Sequence, residues 1–358
     1  MPSILLYTRP GFERDCAAEA MYHAENAGLS GYVNAKPDSG WLQFCSEDAS
    51  GVREFVRHFD FSLWVFARQW FEVRGHVEDL PVGDRVAPLL AALGGATVSD
   101  VWVEYPDTNE GKALSKLARG LEGHLRRSLE KSGQLRSVSP LRAHVLLISG
   151  AEAWVGTAPI ENSAPWPLGY PRLRMPKAAP SRSTLKLEEA FHVLLGRRSD
   201  ALPRPNQRAV DLGAAPGGWT WQLIQRGVKV IAVDNGPLAP QVMEEGRVLH
   251  LREDAFAFKP QQPVDWMVCD VVETPARVAA LMERWLVRGW CKTVIFNLKL
   301  PMKRRWQEVQ QILEGLEKVL EAAGLRYELR AHQLYHDREE ITVWITVDPA
   351  IVGRTSAG

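Results

Sequence analysis

Cysteine is scarce in this chain: four residues in 358, Cys16, Cys45, Cys269 and Cys291. None sits in a C-x-x-C pair or at zinc spacing, which speaks against a disulfide framework and a cysteine metal centre, so they read as reduced core side chains. The nine histidines form no metal-ligand set. Net charge is absent too, because 43 lysines and arginines balance 43 acids. A globally basic nucleic-acid binder is thereby disfavoured, whereas local basic faces remain open. No apolar run approaches the ~20 residues that cross a bilayer. Met1 leads straight into SILLYTRPGF with no leader pattern, so a cytoplasmic protein is expected. Repeats and low-complexity tracts are missing. Nothing suggests a coiled coil or a swapped element, so a monomer is expected. The dinucleotide fingerprint G-x-G-x-x-G is also absent.

What stands in its place is VDLGAAPGGWT, residues 210–220. It reads as the end of a buried strand, a Gly/Pro turn and a helix start. Asp234 closes a second apolar run, VKVIAVD, 23 residues after Asp211. This is the first half of a doubly wound α/β sheet with a nucleoside-type cofactor over its strand ends. Glycines at 213, 217 and 218 would let the backbone approach that ligand, and Asp234 would accept hydrogen bonds from ribose hydroxyls. A pyrophosphate is disfavoured by the glycine spacing. S-adenosylmethionine, with an amino acid in its place, is the better fit. Glycines serving packing alone are the plain alternative.

The later segments fit the same sheet. VLHLREDAF sets Asp254 beyond a third strand, where it could bond an adenine amino group. VDWMVCD ends at Asp270, TVIFNLKL carries Lys299, and HDREEITVWITV carries Glu340 into a last strand. SRSTLKLEEAFHVLLG opens a helix with Lys186 in its first turn, Ser181 or Ser183 being expected to cap it. Strand ends and a helix start share one rim of such a sheet, so Lys186, Asp270, Lys299 and Glu340 should meet. A ribose 2′-hydroxyl needs a base within hydrogen-bond reach. Burial and a neighbouring cation, Lys186, favour a neutral Lys299 amine able to accept its proton. The two acids would orient the lysines, and the methyl donor, a sulfonium, needs little beyond in-line positioning.

The order SRSxxKLxE, VDLGAAPGGW, then the acid, the lysine and the late glutamate resembles the FtsJ-type RNA 2′-O-ribose methyltransferases. The resemblance implies a Lys-Asp-Lys-Glu tetrad at Lys186, Asp270, Lys299 and Glu340, Glu339 being the neighbouring alternative. It implies cofactor contacts at Ser183, Gly213, Ala215, Pro216, Gly217, Gly218, Asp234, Asp254 and Asp270. YTRPGFERDCAAEA, FARQWF, YPDTNEGK and NLKLPMK extend it over the whole chain. These resemble the bacterial large-subunit ribosomal RNA cytidine 2′-O-methyltransferases, which join a THUMP domain to an FtsJ-like one. That family implies as substrate one cytidine of 23S ribosomal RNA near the peptidyl transferase centre.

Three regions are therefore expected: an α+β THUMP-type RNA-binding region over 1–160, a proline-rich basic linker over 161–180, and a Rossmann-like S-adenosylmethionine methyltransferase domain over 181–358. The linker holds Pro165, Pro167, Pro171, Pro176 and Pro180, too many for a helix or central strand. In the last domain, apolar spacing predicts a helix over 303–323, stopped by Gly324. Candidate phosphate contacts are Arg172, Arg174, Lys177 and Arg182 in and after the linker, and Lys303, Arg304 and Arg305 after Lys299. A third basic stretch runs from Lys112 to Arg142, with a solvated helix face as the equal alternative. Trp166 and Tyr170 would stack on bases or, preferably, anchor the linker. Trp219 and Trp221 should pack a helix on the sheet. Beside the methyltransferase reading stand a non-catalytic RNA-binding or ribosome-assembly factor, which has no need of the tetrad, a nicotinamide oxidoreductase, which lacks its glycine pattern, and a base methylase, which lacks an Asn-Pro-Pro-Tyr-like strand end after Asp270.

Overall fold

Period-two and period-3.6 patterns sort into two sheets, each with its own helices. The computed structural model describes residues 1–196 and 199–347, so residues 348–358 of the expected last domain lie outside it. The chain forms two units, Met1–Pro171 and Arg172–Gly358.

The first unit begins β1 (Ser3–Tyr7), α1 (Glu13–Asn26), β2 (Tyr32–Ala35), β3 (Trp41–Cys45), α2 (Ala49–His58) and β4 (Gln69–Val77). It continues α3 (Val86–Leu93), β5 (Asp100–Glu104), α4 (Asn109–Ala113), α5 (Ser115–Lys131), β6 (Leu141–Leu147) and β7 (Ala153–Pro159). One seven-stranded sheet results, in the order β2-β3-β1-β4-β7-β6-β5. Its first six elements run βαββαβ, the ferredoxin-like arrangement, and α1 ends where Gly28 turns to a φ of +70°. The middle of the basic stretch forms α5, whose Leu121, Leu125 and Leu129 are buried while Lys116, Arg119 and Arg127 face outward.

The start of the proline-rich stretch is fastened to this unit. Asn162 accepts from Phe61 N at 2.9 Å and donates to Val56 O and Phe59 O. Leu168 N donates to Glu104, and buried Tyr170 lies under the Arg68 guanidinium. Tyr170 is an anchor, as preferred from sequence.

The second unit holds α6 (Thr184–Val193), β8 (Arg208–Leu212), α7 (Gly218–Ile224), β9 (Lys229–Val233), α8 (Pro240–Met243) and β10 (Val248–Leu251). Then follow β11 (Val264–Cys269), α9 (Pro275–Val287), β12 (Cys291–Lys299), α10 (Arg305–Ala322), β13 (Tyr327–His332) and β14 (Glu340–Val347). The sheet order is β10-β9-β8-β11-β12-β14-β13. β8 through β12 are parallel, and β14 runs antiparallel to both β12 and β13. The near-continuous apolar runs of β11 and β12 follow from burial on both faces. Trp219 and Trp221 pack in this core as expected, and α10 spans the predicted helix, with Gly324 at φ +69° just beyond. The doubly wound sheet is present, with its strand order reversing between β8 and β11.

Candidate active site

At that reversal the carboxyl ends of five parallel strands share one edge. Because β14 is antiparallel, its first residue, Glu340, reaches the same edge, opposite Lys299 at the end of β12. Asp270 follows β11, and α6 brings Lys186. The four predicted residues do meet. Lys186 Nζ lies 3.5 Å from Asp270 Oδ2 and is hydrogen-bonded to Glu340 Oε1, while Lys299 Nζ takes Glu340 Oε2. Glu340 thus bridges both lysines, whereas Glu339 faces outward and pairs with Arg305 at 2.8 Å.

Burial and charge compete at this cluster. Burial alone would lower the Lys186 pKa, but Asp270 and Glu340 together outweigh it and raise it. Burial would likewise raise the pKa of Glu340, yet the two lysines hold it below the usual carboxylate value. Lys186 is therefore an ammonium and Glu340 an anion. The Lys299 side chain is 36% exposed against 15% for Lys186, so Lys299 is the lysine that an incoming molecule can touch.

The loop after β8 shows why its glycines are needed. A Cβ at Gly213 would come 2.7 Å from Val271, at Gly217 2.9 Å from Val242, and at Gly218 2.2 Å from Ser183 Oγ. Protein packing already excludes side chains there, where a ligand was expected to be the reason. Gly213 and Gly217 also adopt φ values of +77° and +109°, which favour glycine. The expected serine cap is not formed. Ser183 precedes α6 without a side-chain capping bond; its hydroxyl instead meets Ser181 Oγ at 2.7 Å, close against Gly218. Its carbonyl accepts from Trp219 Nε1 at 3.1 Å, tying the helix start to the loop.

Asp234 is fixed by the same loop. Its Oδ2 accepts from Ala215 N at 3.0 Å and its Oδ1 from Gly236 N at 2.7 Å. Each oxygen keeps a lone pair, and the residue is only partly buried, so the carboxylate can accept from a pair of ribose hydroxyls. Pro216 lies in the same loop, after Ala215. Asp254 is exposed beyond β10, with its carboxylate accepting from Phe256 N. These residues fit a nucleoside cofactor carrying a positive charge.

Of the candidate phosphate contacts, Arg172, Arg174, Lys177, Arg182, Lys303 and Arg304 are exposed. Arg305 differs, since it is mostly covered and held by Glu339. Sequence reasoning missed several residues that support the site. Asn297, one pleat before Lys299, donates from Nδ2 to Asp270 Oδ1 at 2.8 Å. Glu189, one turn after Lys186, accepts from Tyr335 N and His336 N and bonds His336 Nδ1, fastening the turn before Glu340. This contact covers His336, whose side chain is 16% exposed. The one available signal was a polar Asn inside the apolar run TVIFNLKL. Among the described residues no cluster suited to a metal occurs, and no helix is long and apolar enough to cross a membrane.

Residues 1–71 match the family model described as RlmM ferredoxin-like domain, residues 84–158 that of ribosomal RNA large subunit methyltransferase M, N-terminal, and residues 179–293 that of FtsJ-like methyltransferase. The first match agrees with the βαββαβ topology of residues 1–71, the first part of the expected THUMP-type region. The FtsJ-like match makes S-adenosylmethionine the methyl donor of the second unit. A protein of Cellvibrio japonicus is 47% identical over 97% of this chain and 100% of its own length. One of Azotobacter vinelandii is 48% identical over 98% and 99%. Both are named ribosomal RNA large subunit methyltransferase M.

Proposed function

Because the chain belongs to the ribosomal RNA large subunit methyltransferase M family, we propose that it methylates the ribose 2′-oxygen of one cytidine of 23S ribosomal RNA, near the peptidyl transferase centre. Methyl transfer to ribosomal RNA accords with the family; the acceptor atom, the nucleotide and the residue roles are our reading. The observation that carries it is the Glu340 bridge between Lys186 and Lys299, with Asp270 beside Lys186.

S-adenosylmethionine supplies an electrophilic methyl group on a sulfonium. Ser183, Gly213, the 215–218 loop, Asp234, Asp254 and Asp270 would hold it along the strand ends. Lys299, the more exposed lysine, would receive the 2′-hydroxyl and, as the free amine, take its proton, freeing the oxygen to accept the methyl group as the methyl–sulfur bond breaks and a neutral thioether leaves. Lys186 remains charged and occupies one Glu340 oxygen, so Lys299 shares that carboxylate rather than owning it. Asp270 and Glu340 keep the two nitrogens in place. Arg172, Arg174, Lys177, Arg182, Lys303 and Arg304 would meet backbone phosphates, contributing salt-dependent affinity without reading sequence.

The test is transfer of label from S-adenosylmethionine to 23S ribosomal RNA from a strain lacking the modification, with wild type beside Lys299→Ala. The reading expects alkali-resistant label at a single cytidine, lost in the variant. Label on a base would overturn it, as would full activity of Lys299→Ala.

A further inference from the structure

Behind the tetrad lies a second row of polar groups that no catalytic role absorbs. The register of β12 against β14 pairs Lys299 with Glu340 and, two residues further in on the same face, Asn297 with Thr342. Thr342 Oγ1 is 2.8 Å from Asn297 Oδ1 and 3.0 Å from Asp337 Oδ2. Asn297 Nδ2 is 2.8 Å from Asp270 Oδ1. Thr342 and Asp337 are fully buried and Asn297 is 1% exposed.

Donors and acceptors in this row admit one direction. The Asp270 carboxylate only accepts, so the amide must offer it Nδ2, leaving Oδ1 towards Thr342. That oxygen only accepts, so the threonine hydroxyl donates to it. The hydroxyl has one proton, and Asp337 must then be the donor to its oxygen. Asp337 is suited to carry that proton, because burial, reinforced by Glu340, raises its pKa well above the usual value. Its other engagement is to accept from Leu334 N at 3.0 Å.

The row ends on the group that orients Lys186. Asp270 is held by Asn297 at 2.8 Å, whereas Lys186 stands 3.5 Å away, so the amide is the tighter of the two contacts. We propose that Asn297, fixed by Thr342 and by a protonated Asp337, is a positioning residue that sets the Asp270 carboxylate for Lys186 and through it the alignment of Lys299. This rests on the tetrad reading above and adds to it three residues that touch neither cofactor nor substrate.

The experiment is steady-state methyl transfer to the unmodified 23S ribosomal RNA with full-length variants, each normalised to its folded fraction. Thr342→Val, which breaks the row, should lower kcat about tenfold with both KM values within about twofold. Thr342→Ser and Asp337→Asn, which keep the donor, should retain at least about half of kcat. Asn297→Asp is isosteric and serves should Thr342→Val not fold. It sets a carboxylate against Asp270, with Asp337 the next acid and Lys186 and Lys299 the nearby bases. Its rate relative to wild type should rise at least about threefold from pH 8 to pH 6, as the acid pair takes up a proton. A wild-type kcat in Thr342→Val, a loss through KM alone, Thr342→Ser falling as far as the valine, or a flat pH ratio in Asn297→Asp overturns the proposal. Lys299→Ala, run alongside, separates this failure from that of the parent reading: if it stays active, the tetrad itself is wrong.

Discussion

Each unit buries a glutamate at the end of a strand, and the two are used in opposite ways. Glu104 in the first unit is 2% exposed and Glu340 in the second 4%. Glu104 accepts from the Tyr7 hydroxyl at 2.8 Å, His144 Nδ1 at 2.8 Å and Leu168 N at 2.6 Å. Its contacts join β1, β5, β6 and the 163–171 segment, and all lie inside the fold. Glu340 takes the nitrogens of two lysines, one of whose side chains is over a third exposed. Burial of a carboxylate therefore does not mark a reactive site. What marks it is a partner whose far side still faces solvent.

The sharpest test of that contrast is to remove one partner on each side. Lys299→Ala should lower methyl transfer by about 10²–10⁴-fold, the range for losing a proton acceptor, and leave the denaturant midpoint of the second unit nearly unchanged. Glu104→Ala should do the reverse. It strands three buried donors at about 1–3 kcal/mol each, read as a fall in unfolding free energy, with kcat per folded molecule kept.

A third buried acid sharpens the comparison. Asp211, 1% exposed, has Thr220 Oγ1 at 2.6 Å, and burial, reinforced by Asp270 and Asp234, lifts its pKa to about 7. An acid whose folded pKa exceeds its unfolded value stabilises the protein at low pH and loses that contribution as pH rises. The second unit should thus weaken between the ordinary aspartate value and about pH 7, by up to roughly 1.4 kcal/mol per pH unit from this group. Urea midpoints across that window should fall in wild type and fall less steeply in Asp211→Asn, buried Asp337 contributing the remaining slope. The smallest effect belongs to the exposed cations. Lys303→Ala and Arg304→Ala should each lower the log–log salt slope of RNA binding by about one, with no change in stability.

Much of this was legible in the chain. Strand-end acids separated by helices announce a doubly wound sheet, and the tetrad residues each close or open an element, so their shared rim followed from topology alone. The proline-rich stretch was legible only in part. Its prolines excluded helix and strand, but which unit holds Asn162, Leu168 and Tyr170 depends on partners about 60 to 106 residues away. The serine cap failed for a like reason. Capping is a local preference, and here Gly218, 35 residues on, brings a surface on which Ser181 and Ser183 bond each other instead.

By itself the sequence determined which residues are candidates for the chemistry, since only certain side chains accept a proton or bind a nucleoside and their spacing told which strand each would end. Tertiary structure alone decided how they are coupled. Glu340 rather than Glu339 faces the lysines because strand side chains alternate and the β12–β14 register pairs Glu340 with Lys299. The same register sets Asn297 against Thr342 and thereby gives Asp270 a fixed donor. A one-residue slip would turn both pairs to the other face, and no single segment of the chain contains that information.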